Sequence, residues 1–244
     1  MAARFDRLDA LRGAAIVWMV AFHFAFDLNH LGFFQPPFNF LADARWTLQR
    51  SCIVSLFLLC AGLGQAVALQ GGQGWSRFWR RWSQVAACAV LVSAGSALMF
   101  PHSWISFGVL HGMALMLIAA RVLAPLRSWL WPLGLLALAL PNWVSHPVFD
   151  GRLGNWTGLV THKPVTEDFV PVLPWLGLML WGLAAGQHLL AVHRPALAGP
   201  LPQLLSPLAW LGRHPLVIYM LHQPLLLGAL LGLQAVQQAL ARHA

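Results

Sequence analysis

His23 and Asp27 stand four residues apart in the stretch Leu8 to Asp27, LDALRGAAIVWMVAFHFAFD. On an α-helix that spacing puts both side chains on one face. A carboxylate there can accept one ring N–H of the imidazole, fix its tautomer and leave the other nitrogen as a base. A base so placed can take a proton from an alcohol or an amine. Asp9 and Arg12 precede the pair, separated from it by the apolar run AAIVWMVAF. From Arg12 to His23 the helix axis advances roughly 16 Å, about half of a bilayer core. One helix thus carries a cation near one surface and a titratable ring nearer the other. Arg12 has the competing reading of an interfacial anchor, and Asp9 that of a first-turn helix charge. The His23–Asp27 pair resists such a reading, because ionisable groups inside a span are costly and usually face a cavity or a partner.

Further polar groups are expected at membrane depth. His111 sits in FGVLHGMAL, and Tyr219, His222 and Gln223 sit in YMLHQP. Pro224 lacks an N–H and frees a backbone carbonyl one turn earlier. Any of these four side chains can donate to a developing oxyanion, or simply bond a neighbouring helix. His23, Asp27, His111 and His222 are expected to line one outward-leaning cavity.

The elements that carry these groups follow from composition. Of 244 residues, 59% are hydrophobic and 9% charged, and the mean hydropathy is +0.66. Soluble domains carry about a quarter charged residues. The chain is therefore an all-α, polytopic transmembrane bundle whose partner is the lipid bilayer. The net charge of +8 does not point to nucleic acid, since the arginines fall between apolar runs. Cys52, Cys60 and Cys88 lie within apolar spans without CxxC or metal-ligand spacing, so no metal site is expected. The sequence also lacks HExxH, P-loop and GxSxG patterns, which argues against soluble-type hydrolases and ATPases.

About seven spans are expected, near residues 8–28, 46–69, 84–100, 106–123, 128–143, 171–192 and 215–235, in one domain covering 1–244. The basic, then apolar, beginning is read as an anchored span, not a cleaved signal. Phe33, Phe34, Phe38 and Phe40 in NHLGFFQPPFNF are expected at headgroup depth. Gly62 and Gly64 suit close helix packing. Asn155-Trp156-Thr157 matches a glycosylation sequon. With the N-terminus in the cytoplasm, Arg4, Arg7, Arg77, Arg80, Arg81, Arg121, Arg127, Arg194 and Arg213 fall inside. Arg45, Arg50, Arg152, Lys163 and Arg242 then fall outside together with Asp43, Asp150, Glu167 and Asp168, and the excess of inner cations is what the positive-inside rule favours.

The opening RLDALRGAAIVWMVAFHFAFDL resembles the first helix of membrane-bound acyltransferases, including their arginine–ten residues–histidine spacing. With SLFLLCAGLG, FGVLHGMAL, FVPVLPWLGLMLWGLAAG and LGRHPLVIYMLHQP, the ordered set is similar to bacterial relatives of the heparan-α-glucosaminide N-acetyltransferase catalytic domain. The resemblance implies transfer of an acyl group, expected to be acetyl, from cytosolic acyl-CoA to a sugar, glycan or glycolipid acceptor at the outer face. It gives His23, backed by Asp27, a catalytic role and Arg12 an anchoring one. Asp9, Arg12, His111, Tyr219, His222 and Gln223 become substrate- or acyl-CoA-binding candidates, with Arg77, Arg80 or Arg81 as cations for the CoA phosphates. No permanently bound cofactor is implied, and a homo-oligomer is admissible. The implied location is a bacterial inner membrane. The loop PFNFLADARW departs from the human-type pattern, which places its essential histidine there. Two readings from other classes compete. One is a proton-coupled transporter or flippase of a glycan or lipid, using the same buried groups as a relay. The other is a haem carrier with His111 and His222 as axial ligands, and a scaffold or assembly protein without chemistry is the remaining reading.

Overall fold

A computed structural model describes residues 5–40 and 42–243; Arg4, one of the expected inner cations, lies outside them. The helices run α1 (Asp6–His30), α2 (Ala44–Gln70), α3 (Trp75–Met99), α4 (Val109–Leu123), α5 (Leu130–Ala139), α6 (Val172–Val192), α7 (Pro195–Ala198), α8 (Ser206–Arg213) and α9 (Pro215–His243). The described residues form no strand, and an isolated bridge joins Phe107 to Phe169. The chain clusters into two compact units. The first comprises Ser55–Pro200 with the chain up to Leu8. The second comprises Asp9–Val54 with the chain from Leu201 onward.

Six segments among the described residues are long and apolar enough to cross a membrane: Asp6–His30, Ala44–Gln70, Trp75–Met99, Val109–Asn142, Val172–Val192 and Pro215–Arg242. The difference from the expected seven lies in Val109–Asn142, which hydropathy reads as one stretch. Contacts with α6 show that this stretch doubles back. Gly112 lies against the Val170 carbonyl, and Gln187 Nε2 donates to the Ala124 carbonyl at 2.9 Å, so α4 runs parallel to α6. Trp181 Nε1 donates to the Trp131 carbonyl at 3.0 Å, and Gly177 meets Gly134 and Leu138, so α5 runs antiparallel to α6. The reversal occurs in the 3₁₀ turn Ala124–Trp129, where Arg127 takes φ 47°. The expected fourth and fifth spans are thus two helices of opposite sense. At ten residues α5 is about 15 Å long, shorter than the hydrocarbon core.

Elsewhere in the first unit, α2 packs parallel to α6, with Gly62 against Met179 and Ala66 against Gly186. The close packing expected of Gly62 is met. The 144–170 connection is tied to the start of α4. Asp168 Oδ2 accepts from Val109 N–H at 2.7 Å, and Ser103 Oγ donates to Glu167 Oε1 at 2.5 Å. A carboxylate at a helix N-terminus satisfies orphan donors and complements the dipole. Asn155, of the sequon, is buried.

Two elements of the second unit differ from expectation. Phe40, expected among headgroups, is buried. It stacks on Trp46 with centroids 4.0 Å apart and meets Phe22 and Phe26 edge-on. The prolines fold this segment back onto α1, where the Asn29 side chain bonds both the N–H and the carbonyl of Phe38. Secondly, α9 does not stop near 235 but continues to His243. Its last turns, QAVQQALARH, hold good helix formers and no breaker.

Candidate functional site: a histidine pair between α1 and α9

The N-terminal half of α1 is pressed against α8 by two glycines. Gly13 faces the Leu208 carbonyl and Gly212 faces the Asp9 carbonyl, each so closely that a Cβ would collide with backbone. Across this contact Arg12 Nη1 donates to Asp9 Oδ1 at 2.9 Å and to the Gly212 carbonyl at 3.1 Å. Arg213 Nε lies 3.8 Å from Asp9 Oδ2. Asp9 and Arg12 therefore knit α1 to α8. The Nε and Nη2 of Arg12 make no hydrogen bond among the described residues.

From that junction α9 runs parallel to α1. His23 Nδ1 lies 2.7 Å from His222 Nε2, with the two rings stacked at a centroid distance of 4.9 Å. Farther along, Gln223 Nε2 donates to Asp27 Oδ1 at 2.7 Å and Gln234 Nε2 to the Leu31 carbonyl at 2.8 Å. His222 Nδ1 lies 2.7 Å from the Tyr219 carbonyl of its own helix. Just beyond, Pro224 supplies no N–H to the helix ladder.

These bonds define the proton positions of two neutral rings. A carbonyl only accepts, so His222 Nδ1 carries hydrogen and its Nε2 is the acceptor. His23 must then donate from Nδ1, and its Nε2 holds the free lone pair. That nitrogen has no hydrogen-bond partner among the described residues, and His23 as a residue is half-buried. The bond that helical spacing allowed, from His23 to Asp27, is not the one formed. A short carboxylate one turn away is outcompeted by a ring facing it from α9. Asp27 is instead 1% exposed and bound through Oδ1 to Gln223. Its Oδ2 and the Oε1 of Gln223 are buried without partners among the described residues.

The expected residues thus divide between the units. His23, Asp27, Tyr219, His222 and Gln223 gather in the second unit, with Asp9 and Arg12 at its α1–α8 junction. Tyr219 contributes its carbonyl. His111 belongs to the first unit and has local partners. Ser93 Oγ donates to the Ile105 carbonyl at 2.6 Å and lies 3.1 Å from His111 Nε2. His111 Nδ1 accepts from Gly108 N–H at 3.3 Å. Both ring nitrogens hold the start of α4, which leaves neither for an oxyanion or a haem iron. Both nitrogens of His222 are likewise engaged.

Arg121, expected only as one of the inner cations, is a buried guanidinium in α4. The available signal was an arginine amid LMLIAARVL with no acidic residue anywhere between Asp43 and Asp150.

Apolar helices of spanning length, with a histidine pair held between two of them, define a polytopic membrane protein. The family described as heparan-alpha-glucosaminide N-acetyltransferase, catalytic, matches residues 4–224, and the chain belongs to that family. Membership implies a membrane acetyltransferase with an acyl donor and a glycan acceptor in general. No curated protein and no solved structure matches the chain.

Proposed function

We propose that this protein transfers an acetyl group from cytosolic acetyl-CoA to a hydroxyl or amine of a sugar, glycan or glycolipid at the outer face of a bacterial inner membrane. The carrying observation is the relay Tyr219 carbonyl–His222–His23, which leaves His23 Nε2 as a lone-pair base. In this reading Nε2 takes the proton of the acceptor as its oxygen or nitrogen attacks the thioester carbonyl. The tetrahedral intermediate collapses, the acyl–sulfur bond breaks, and the thiolate of CoA recovers that proton from His23. While His23 is charged, its Nδ1–H donates to His222 Nε2, the position a carboxylate occupies in a serine-protease triad. General-base assistance of this kind contributes roughly 10²–10⁴-fold.

Asp27 Oδ2 and Gln223 Oε1, both acceptors, suit the N–H or O–H groups of the sugar. The unengaged donors of Arg12 suit a CoA phosphate. The arginine distribution supports a cytoplasmic N-terminus. The family match runs through both units, which supports reading 1–244 as one acyltransferase-like domain.

The test is incubation of purified protein with radiolabelled acetyl-CoA and mass analysis of protein and glycolipid fractions. Label should reach a lipid-linked or free sugar with the wild type and fail to do so with His23→Ala. Equal turnover by that variant rejects His23 as the base.

A further inference from the structure

Arg121 is 8% exposed, yet among the described residues no carboxylate pairs with it. Its Nη2 donates to the Gln73 carbonyl. Its guanidinium carbon lies 5.2 Å from the Trp75 ring centroid and 5.8 Å from that of Phe78. Nη1 is buried and has no hydrogen-bond partner among the described residues. The sequence offers no relief, with no Asp or Glu between Asp43 and Asp150 and none after Asp168. Arg77, Arg80 and Arg81 follow in the first two turns of α3, all exposed, and add positive potential.

Buried charges persist when they are paired and hydrogen-bonded. One carbonyl and two aromatic faces meet part of that need. The missing component is an anion at Nη1, and the planar guanidinium fork matches phosphate oxygens better than a lysine would. The chain around the bonded Gln73 carbonyl, beside the guanidinium, is suited to opening. The chain at 71–74 reads GGQG, Gly72 has φ 68°, and the space beside Gly72 and Gly74 is empty. The Trp75 indole is 48% exposed.

We propose that Arg121 is the seat of a phosphate-binding site, closed over by the turn at 71–74 and by Trp75. The phosphate belongs either to coenzyme A or to an anionic phospholipid headgroup; both present the same oxygens to the guanidinium. The site lies wholly within the first unit and needs nothing from His23, so it stands or falls apart from the acyl-transfer reading.

The protein is placed in phosphatidylcholine nanodiscs, and thermal unfolding and tryptophan emission are followed in two arms. One arm adds free coenzyme A. The other replaces part of the lipid with phosphatidylglycerol. At least one arm should raise the wild-type Tm and change the emission, with Arg121→Gln weakening the response about tenfold or more. A coenzyme A response identifies the soluble phosphate, and a phosphatidylglycerol response identifies the headgroup. Should Arg121→Gln fail to fold, Arg121→Lys keeps the charge without the fork and should bind several-fold more weakly. No response in either arm, or equal responses from wild type and variants, overturns the proposal.

Discussion

His222 holds His23 through a 2.7 Å bond between Nε2 of one ring and Nδ1 of the other, and is itself held by the Tyr219 carbonyl. His222→Ala is therefore expected to leave His23 in place but free to exchange tautomers. The expected outcome is a fall in kcat of about 10²-fold or more with a small change in KM for the acyl donor. Steady-state kinetics on the labelled-acetyl assay checks this. A drop confined to KM would give His222 a binding role instead.

Asp27 is buried, with one oxygen lacking a hydrogen-bond partner among the described residues. Asp27→Asn removes a buried carboxylate and can keep an amide pair with Gln223. Thermal unfolding should show equal or higher Tm, since leaving a buried polar group unsatisfied costs about 1–3 kcal/mol. If Asp27 receives the acceptor sugar, the same variant raises the acceptor KM and spares that of the donor. A large loss of Tm would instead make the carboxylate structural.

Gly212 lies against the Asp9 carbonyl with no room for a Cβ. Gly212→Ala must separate α8 from α1 and strain the Arg12 bonds. Overpacking of this sort costs about 1–3 kcal/mol, read as a lowered Tm. Gly228→Ala, at a helix position with open space beside it, should leave Tm unchanged or raise it slightly.

Asp150 lies in the 144–170 connection, outside the spans. The hydroxyl of Thr161 donates to it at 2.6 Å and the Thr161 N–H at 2.7 Å. These bonds, the hydroxyl first, hold its carboxyl below its ordinary value of 3.8. A lowered folded pKa stabilises the loop at pH values above the ordinary one, and that contribution is lost as pH falls through the folded value. Hydrogen exchange at the Thr161 amide should be slower in wild type than in Asp150→Asn at neutral pH. The two should converge only well below pH 3.8. A difference persisting in strong acid would point away from the carboxylate.

The helical bundle was legible because periodicity barely matters in a segment that is apolar throughout; length and breakers suffice. That is why α2 and α6 fall close to their expected bounds, whereas α3 begins nine residues before its expected start at 84, because the Trp- and Arg-rich stretch from Trp75 joins the helix. The reversal at Arg127 is visible in the sequence only as Pro125 and two arginines, and hydropathy averages across it. The site residues were legible by cost, as ionisable groups among apolar neighbours. Their partners were not, because helical spacing favours the neighbour one turn away. It gives no view of His222, 199 positions distant. His111 has the same intramembrane signature as His23, yet it caps a helix, and only the position of Ser93 separates the two cases.

The pairing of α1 with α9 also sets an order of events during synthesis. His23 is synthesised 199 residues before His222, so its ring stays without that partner while the helices between them are made. The pair forms only once α9 lies alongside α1, and a chain that stops before α9 leaves His23 without its ring partner.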